Sequence, residues 1–79
     1  GNEAQRTAYA QVEQRRADFV ALLVAHRAKL VEAFADDAPA EVKRERKRAV
    51  FASLQAAYRR TRDERWGGFA GYDRFFAQG

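Results

Sequence analysis

A series of mostly hydrophobic residues, interrupted by Arg16 and His26, recurs at alternating steps of three and four along the first half of the chain, from Tyr9 to Ala33. This spacing places them on one side of an α-helix, in the pattern by which a helix packs along a neighbour at a shallow crossing angle. No glycine or proline interrupts residues 3–35, and Asn2 is a candidate N-cap for a helix over about 3–35. Additional apolar residues near its middle widen the hydrophobic surface, so we expect this helix to contact more than one neighbour.

A second helix is predicted after the only proline of the chain. Pro39 disfavours helical backbone at the residue before it and suits a first helical turn, which predicts a loop of about 36–38 and a helix of about 39–65. A connection this short makes the two helices antiparallel neighbours. The residues expected to form the seam between them are Phe19, Leu23, His26 and Leu30 on the first helix and Phe51, Leu54 and Tyr58 on the second.

The last segment, 66–79, is rich in aromatic residues. Gly67 and Gly68 are suited to ending the second helix, and the residues after them can form a turn and a short third helix. We interpret the rings as an interaction surface for another chain segment or a second copy; the alternative is that they fold back on the helix pair as a third layer. The predicted surface comprises Trp66, Phe69, Tyr72, Phe75 and Phe76.

Together these patterns predict an all-α fold. It is a long antiparallel helical hairpin with a short aromatic-rich C-terminal turn or helix, and it forms a single helical unit over residues 1–79. One such hairpin leaves much of its apolar surface uncovered, because a chain of this length buries only a modest fraction of its surface. We therefore expect the isolated chain to pair as a homodimer in a four-helix arrangement.

Composition and charge narrow the classes of function. The chain has no cysteine, so it has no disulfide framework and no thiolate site. Its longest apolar run, residues 19–25, is far shorter than the roughly 20 residues of a membrane-spanning helix, so no membrane span is predicted. The net charge is +4, with nine Lys and Arg against three Asp and Glu in residues 42–66.

The basic run KRERKR, residues 43–48, has two interpretations. It could contact the phosphates of a nucleic acid or of an anionic membrane surface, and a small basic nucleic-acid-binding protein is the weakest of the functions considered. However, six consecutive helical residues point all the way round the helix, and no base-reading motif accompanies them. A solvated helix surface is therefore favoured, and we predict no nucleic-acid partner.

No catalytic or metal-binding set is visible. His26 is the only histidine, and both residues four positions away are leucines, whereas a metal ion requires three or four ligands. We expect it to be hydrogen-bonded within the helix seam. The adjacent pairs Asp36–Asp37 and Asp63–Glu64 project about 100° apart on a helix and so do not converge as a catalytic pair would. We therefore predict no catalytic residue, no metal ligand and no cofactor site in these residues.

The three most distinctive stretches of the chain resemble a known family. They are ADFVALLVAHRAKLVEAFA (17–35), KRERKRAVFASLQAAYRR (43–60) and RWGGFAGYDRFFAQ (65–78). They resemble the C-terminal helical region of the bacterial predicted aminopeptidases, zinc metallopeptidases that carry an HExxH helix. The most specific part of the resemblance is the stretch from Trp66 to Ala77, and the similarity covers nearly the whole chain.

The resemblance implies a helical segment without the active site of the family. Neither HExxH nor the acidic ligand segment that follows it in the family occurs in residues 1–79, so no catalytic or zinc-binding residue is carried over. It implies that the chain supports or borders the substrate cleft of a larger peptidase of the bacterial cell envelope. The rest of that parent chain is then its partner, and zinc is bound there. The alternative function is a stand-alone helical module for self-association.

Overall fold

The computed structural model describes residues 1–77, which form a helical rod with principal extents of 58 × 19 × 18 Å. Helix α1 is Asn2–Ala33, helix α2 is Ala40–Glu64, and a 3-10 helix follows at Asp73–Phe76. The start of α2 lies beside the end of α1, and the end of α2 lies beside the middle of α1, so the two are antiparallel. The predicted all-α hairpin with an aromatic-rich C-terminal turn is therefore confirmed. Within residues 1–77, neither helix has an apolar stretch of the length that crossing a bilayer requires.

Both ends of α1 differ from the prediction. The expected cap was wrong: Gly1 is the N-cap, Asn2 is already helical, and no side-chain hydrogen bond caps this end. Because the backbone carbonyl of Gly1 accepts from the amide of Gln5 at 3.2 Å, the helix starts without help from the Asn2 amide group. At its other end α1 stops at Ala33, two residues earlier than expected, and the loop before α2 is correspondingly longer.

A charged contact fixes the loop between the helices. The guanidinium of Arg46 on α2 donates to the backbone carbonyl of Ala33 at 3.1 Å and to Asp36 Oδ1 at 2.8 Å. The same carboxylate oxygen accepts from the backbone amide of Ala38 at 3.1 Å, and the hydrogen bond from Arg46 lowers the pKa of Asp36. A cation at the carbonyl end of a helix interacts favourably with the helix dipole, so α1 ends where α2 supplies that cation.

The seam between the helices differs from the predicted one at one position. Leu54 and Tyr58 are buried, and Phe19, His26, Leu30 and Phe51 are half-buried, as seam residues should be. Leu23, however, is 42% exposed, and its neighbour Leu22 packs against the core instead. Steps of three and four lead equally well from Phe19 to either leucine, and adjacent residues project about 100° apart, so only one of them can face α2.

The core is concentrated at one end of the hairpin. Leu54, Tyr58, Trp66 and Phe76 form the buried cluster, which joins the end of α2 to the C-terminal segment. Gly1 and the first part of α1, residues 2–14, are exposed throughout, including Tyr9 at 73% and Val12 at 53%. We call the core end of the molecule, the end of α2 with residues 66–77, the aromatic end.

Candidate interaction site at the aromatic end

Two consecutive glycines reverse the chain after α2. Gly67 has φ +62° and Gly68 has φ +89°, values in the left-handed region that side chains other than glycine rarely adopt. The amide of Gly68 donates to the carbonyl of Arg62 at 2.9 Å, which satisfies one of the free carbonyls of the last helical turn. The segment after this turn therefore runs back along the hairpin, and the predicted helix end at these glycines is confirmed.

The returning segment forms a cluster of six aromatic rings with the two helices, which we call the ring cluster. Its members are Phe19 of α1, Tyr58 of α2, and Trp66, Tyr72, Phe75 and Phe76. Tyr58 stacks on Phe76 with centroids 4.1 Å apart, and Phe19 stacks on Tyr72 at 4.5 Å. Gln55 Nε2 also donates to the carbonyl of Phe76 at 2.8 Å, which ties the 3-10 helix to α2. The rings therefore close the open end of the hairpin.

Trp66 is held by a polar contact across the hairpin. Its indole Nε1 donates to Asp18 Oδ2 at 2.8 Å, and the guanidinium of Arg65 reaches the two carboxylate oxygens of Asp18 at 3.1 Å. Only 16% of the Asp18 side chain is exposed, so this carboxylate is largely removed from water and depends on these two donors. The contact joins the start of the returning segment to the middle of α1.

A second polar contact fixes the 3-10 helix. The hydroxyl of Tyr58 donates to Asp73 Oδ1 at 2.6 Å, and Arg62 Nη1 lies 3.4 Å from both carboxylate oxygens. Donation from Tyr58, aided by the Arg62 charge, lowers the pKa of Asp73. Burial of the phenol, together with its hydrogen bond to the carboxylate, raises the pKa of Tyr58 to about 12 from an ordinary value of 10.0.

The Tyr58 shift predicts a loss of stability at alkaline pH. Because the folded-state pKa is raised, the protonated phenol is favoured by folding, and its contribution is complete below pH 10 and lost as pH rises from 10 towards 12. We expect the urea midpoint to fall over this range in step with tyrosinate absorbance. A Tyr58→Phe variant is the control, since it has no phenol to ionise at this site. An equally steep decline in that variant would contradict the assignment.

Two of the five rings that the sequence predicted as an interaction surface are exposed to solvent. Phe75 is 67% exposed, and Phe69 is 43% exposed with the guanidinium of Arg15 over its ring at 4.0 Å. Gly71 lies so close to the Phe69 ring that a side chain there would displace it. By contrast Trp66 and Phe76 are buried. For these two rings the alternative interpretation applies, since they pack within the chain itself as a layer on the helix pair.

The outer side of this end carries both apolar and polar groups. A groove beside Phe69 is lined by Gln11, Gln14, Arg15, Arg65, Trp66 and Gly67. Such a surface combines aromatic area with amide and guanidinium donors, which is the chemistry that contacts peptide carbonyls and apolar side chains together. The exposed rings and this groove are the strongest candidate interaction site among residues 1–77.

His26 is placed as predicted but is not bonded as predicted. It lies in the seam, with its ring edge-on to Phe51 at 6.4 Å between centroids. We expected it to be hydrogen-bonded within the bundle, yet its Nδ1 is buried and has no hydrogen-bond partner among the described residues. Lys29 and Ser53 line the same small cavity as His26, but the Lys29 ammonium donates to the Ser53 hydroxyl at 3.1 Å instead.

The basic run is partly used within the hairpin. Besides Arg46, Lys43 Nζ lies 3.5 Å from the carbonyl of Phe34, and Arg48 pairs with Glu45 one turn away. These contacts favour the structural interpretation of the run over phosphate binding, because they direct cations to the end of α1 and to a local carboxylate. In residues 1–77, no three His, Cys, Asp or Glu side chains lie together in a way that could hold a metal ion.

Sequence reasoning missed the two acidic residues that hold the returning segment. Asp18 and Trp66 are 48 residues apart, so no local spacing rule could have paired them. Asp73 lies 15 residues after Tyr58 and beyond the end of α2, so helical periodicity does not pair these two residues either. The available signal for Asp18 was a carboxylate directly before the longest apolar run of the chain, residues 19–25.

The comparisons with known proteins identify a family. A family model described as "Putative aminopeptidase" matches residues 1–79. The chain belongs to this aminopeptidase family. The matched residues include both helices and the ring cluster. No curated protein and no solved structure matches the chain at a significant level.

Proposed function

We propose that this chain is a non-catalytic helical segment of a bacterial zinc-dependent aminopeptidase, and that it supports or borders the substrate cleft. The observation that carries the proposal is the family match over residues 1–79. In support, the residues of the most specific resemblance, from Trp66 to Ala77, are those that turn back and form the ring cluster. The described residues do not fit a zinc site, so the proposal assigns the metal to an HExxH helix outside them.

The proposal places the aromatic end, rather than the loop end, beside the cleft. Phe69 and Phe75 present ring surface there, and Arg15 places a cation next to it. Peptide substrates offer apolar side chains and backbone carbonyls, which these groups can contact directly. The other end of the hairpin is formed by the Asp36–Arg46 loop contact, whose polar groups are already paired within the chain.

Catalysis by the chain alone provides the first test. Residues 1–79 incubated with zinc and a panel of aminoacyl chromogenic substrates should give no turnover above a buffer blank, because the described residues hold no metal-ligand cluster. The complete peptidase under the same conditions is the positive control. Zinc-dependent turnover by the 79-residue chain would overturn the non-catalytic assignment.

The cleft assignment is tested in the complete peptidase. Phe69→Ala and Phe75→Ala should each raise KM several-fold with little change in kcat, because they remove substrate contact area and no catalytic group. Val42→Ala is the matched control: it also removes an exposed apolar side chain, 41% exposed, but near the loop end. Equal KM values for all three variants and the parent would remove the aromatic end from the cleft.

A second candidate function is self-association, and one observation favours it. Helix α1 exposes several large apolar side chains that neither α2 nor the ring cluster covers, among them Val20, Val24 and Val31. Such a surface on a helix is typical of a contact with another helix. It does not include Phe69, Phe75 or the residues of the groove, so the two candidate functions use different residues.

A further inference from the structure

The uncovered side of α1 has a regular composition, and we call it the outer stripe. Its central row has one residue every two turns, about seven residues apart: Arg6, Glu13, Val20, Arg27 and Phe34. Two flanking rows have the same spacing. One is Ala17, Val24 and Val31, and the other is Tyr9, Arg16 and Leu23.

The outer stripe is exposed over its whole length. Val20 is 50% exposed, Val24 63% and Val31 64%, and the row ends at Phe34 with 43%. The side of α1 that packs on α2 and the ring cluster is instead the one that carries Leu22 and His26. The stripe is therefore free for contact with a second molecule.

The charges of the central row are opposite and symmetric about Val20. Glu13 lies seven residues before it and Arg27 seven residues after it, and neither forms an ion pair within residues 1–77. A two-fold axis through Val20, perpendicular to α1, would place Glu13 of each copy opposite Arg27 of the other. The side chains of an antiparallel helix pair meet in this way, because equal distances from the axis coincide.

We propose that α1 pairs antiparallel with α1 of a second copy of this chain, about a two-fold axis at Val20. Val20 then packs on Val20 of the second copy, between two symmetric Glu13–Arg27 ion pairs. A parallel arrangement would instead set Glu13 against Glu13 and Arg27 against Arg27, which is repulsive. The charge pattern therefore selects the antiparallel arrangement.

The flanking rows fit the same axis, because a two-fold axis perpendicular to α1 places each flanking row opposite the same row of the second copy. Arg16 then lies near Leu23 of the second copy, and its methylene stem can cover that side chain while its charge stays in water. On the other flank, Val24 lies near Ala17 of the second copy. At each end Arg6 meets the ring of Phe34, a favourable cation–aromatic contact. Each of these positions along the stripe thus faces either an apolar group or its opposite charge.

The test is a charge exchange measured by sedimentation equilibrium on the 79-residue chain. Glu13→Arg should weaken the dimer about tenfold, because it places an arginine opposite Arg27 in two symmetric contacts. Arg27→Glu should weaken it similarly, by placing two carboxylates together. The double variant Glu13→Arg/Arg27→Glu restores both pairs with their signs reversed, and we expect its dissociation constant to return close to that of the parent. Lys47→Glu, an exposed change on α2, is the matched control.

A second variant tests the axis itself. Val20→Glu places two like charges against each other at the centre and should weaken the dimer more than tenfold, whereas Val42→Glu, at the loop end, should not. A chain that is monomeric from micromolar to millimolar concentration would overturn the proposal. So would a double variant that associates no better than the single ones. Neither result bears on the cleft assignment, which depends on Phe69 and Phe75.

Discussion

Replacing Tyr58 with alanine should destabilise the hairpin more than any other single substitution we consider, by about 3–5 kcal/mol, the range for truncating a buried aromatic ring. Tyr58 is 2% exposed, stacks on Phe76 at 4.1 Å and meets the edge of Trp66 at 5.6 Å between centroids. It therefore contacts both Trp66, near the start of the returning segment, and Phe76, in the 3-10 helix. Its loss therefore creates a cavity and also releases the 3-10 helix.

The emission of Trp66, the only tryptophan in the chain, provides the measurement. In Tyr58→Ala we expect a red-shifted emission under native conditions and a large fall in the urea midpoint. Tyr58→Phe is the control, because it keeps the ring and removes only the hydrogen bond to Asp73, which should cost about 1 kcal/mol. If Tyr58→Ala were no less stable than Tyr58→Phe, the ring cluster would not be the core of the molecule.

The helices themselves were predictable because local rules determine them. Pro39 restricts the backbone on either side of it, and the glycines at 67 and 68 supply positive φ angles that end α2. The start of α1 was less predictable, since Gly1 and Asn2 are both acceptable at an N-cap and no side-chain bond decides between them.

Which side of α1 packs against α2 depends on residues elsewhere in the chain and cannot be derived from α1 alone. The choice between Leu22 and Leu23 depends on where the ring cluster packs, because Phe19 must reach Tyr72 and Leu22 must reach the same core. The apolar excess on α1 was visible in the sequence, and the structure shows which part of it is left uncovered. Leu23 thereby changes from a seam residue to a member of the outer stripe.

The sequence identified which aromatic residues form the candidate site, but not which of them are exposed and which are buried. The sequence predicted a turn and a short third helix after the glycines, and the chain forms a 3-10 helix from Asp73 to Phe76. The tighter 3-10 turn and the preceding glycines send Phe76 inwards and leave Phe75 outside. The sequence prediction placed Phe75 and Phe76 in one surface, because the difference in their exposure depends on this turn and is not visible in the sequence pattern.

Replacing Trp66 with alanine is expected to have the second largest effect, a loss of about 3–5 kcal/mol in the free energy of unfolding. The indole is 8% exposed and packs on Tyr58 and Tyr72, so truncation opens the centre of the ring cluster. It also removes the 2.8 Å hydrogen bond to Asp18, a mostly covered carboxylate that is then left with Arg65 alone. Urea unfolding followed by far-ultraviolet circular dichroism measures this loss without a tryptophan signal.

Two further variants separate the ring of Trp66 from its hydrogen bond. Trp66→Phe retains most of the packing and loses the donor, so it should cost about 1–3 kcal/mol, because a carboxylate loses a partner in a covered position. Asp18→Ala removes the acceptor instead and leaves the indole Nε1 unpaired, so its cost should be similar, and its Trp66 emission reports whether the ring stays in place. In the double variant Trp66→Phe/Asp18→Ala both partners are gone, so its cost should fall clearly below the sum of the two single costs. Strict additivity would mean that the contact across the hairpin contributes nothing to stability, and that the returning segment is held by ring packing alone.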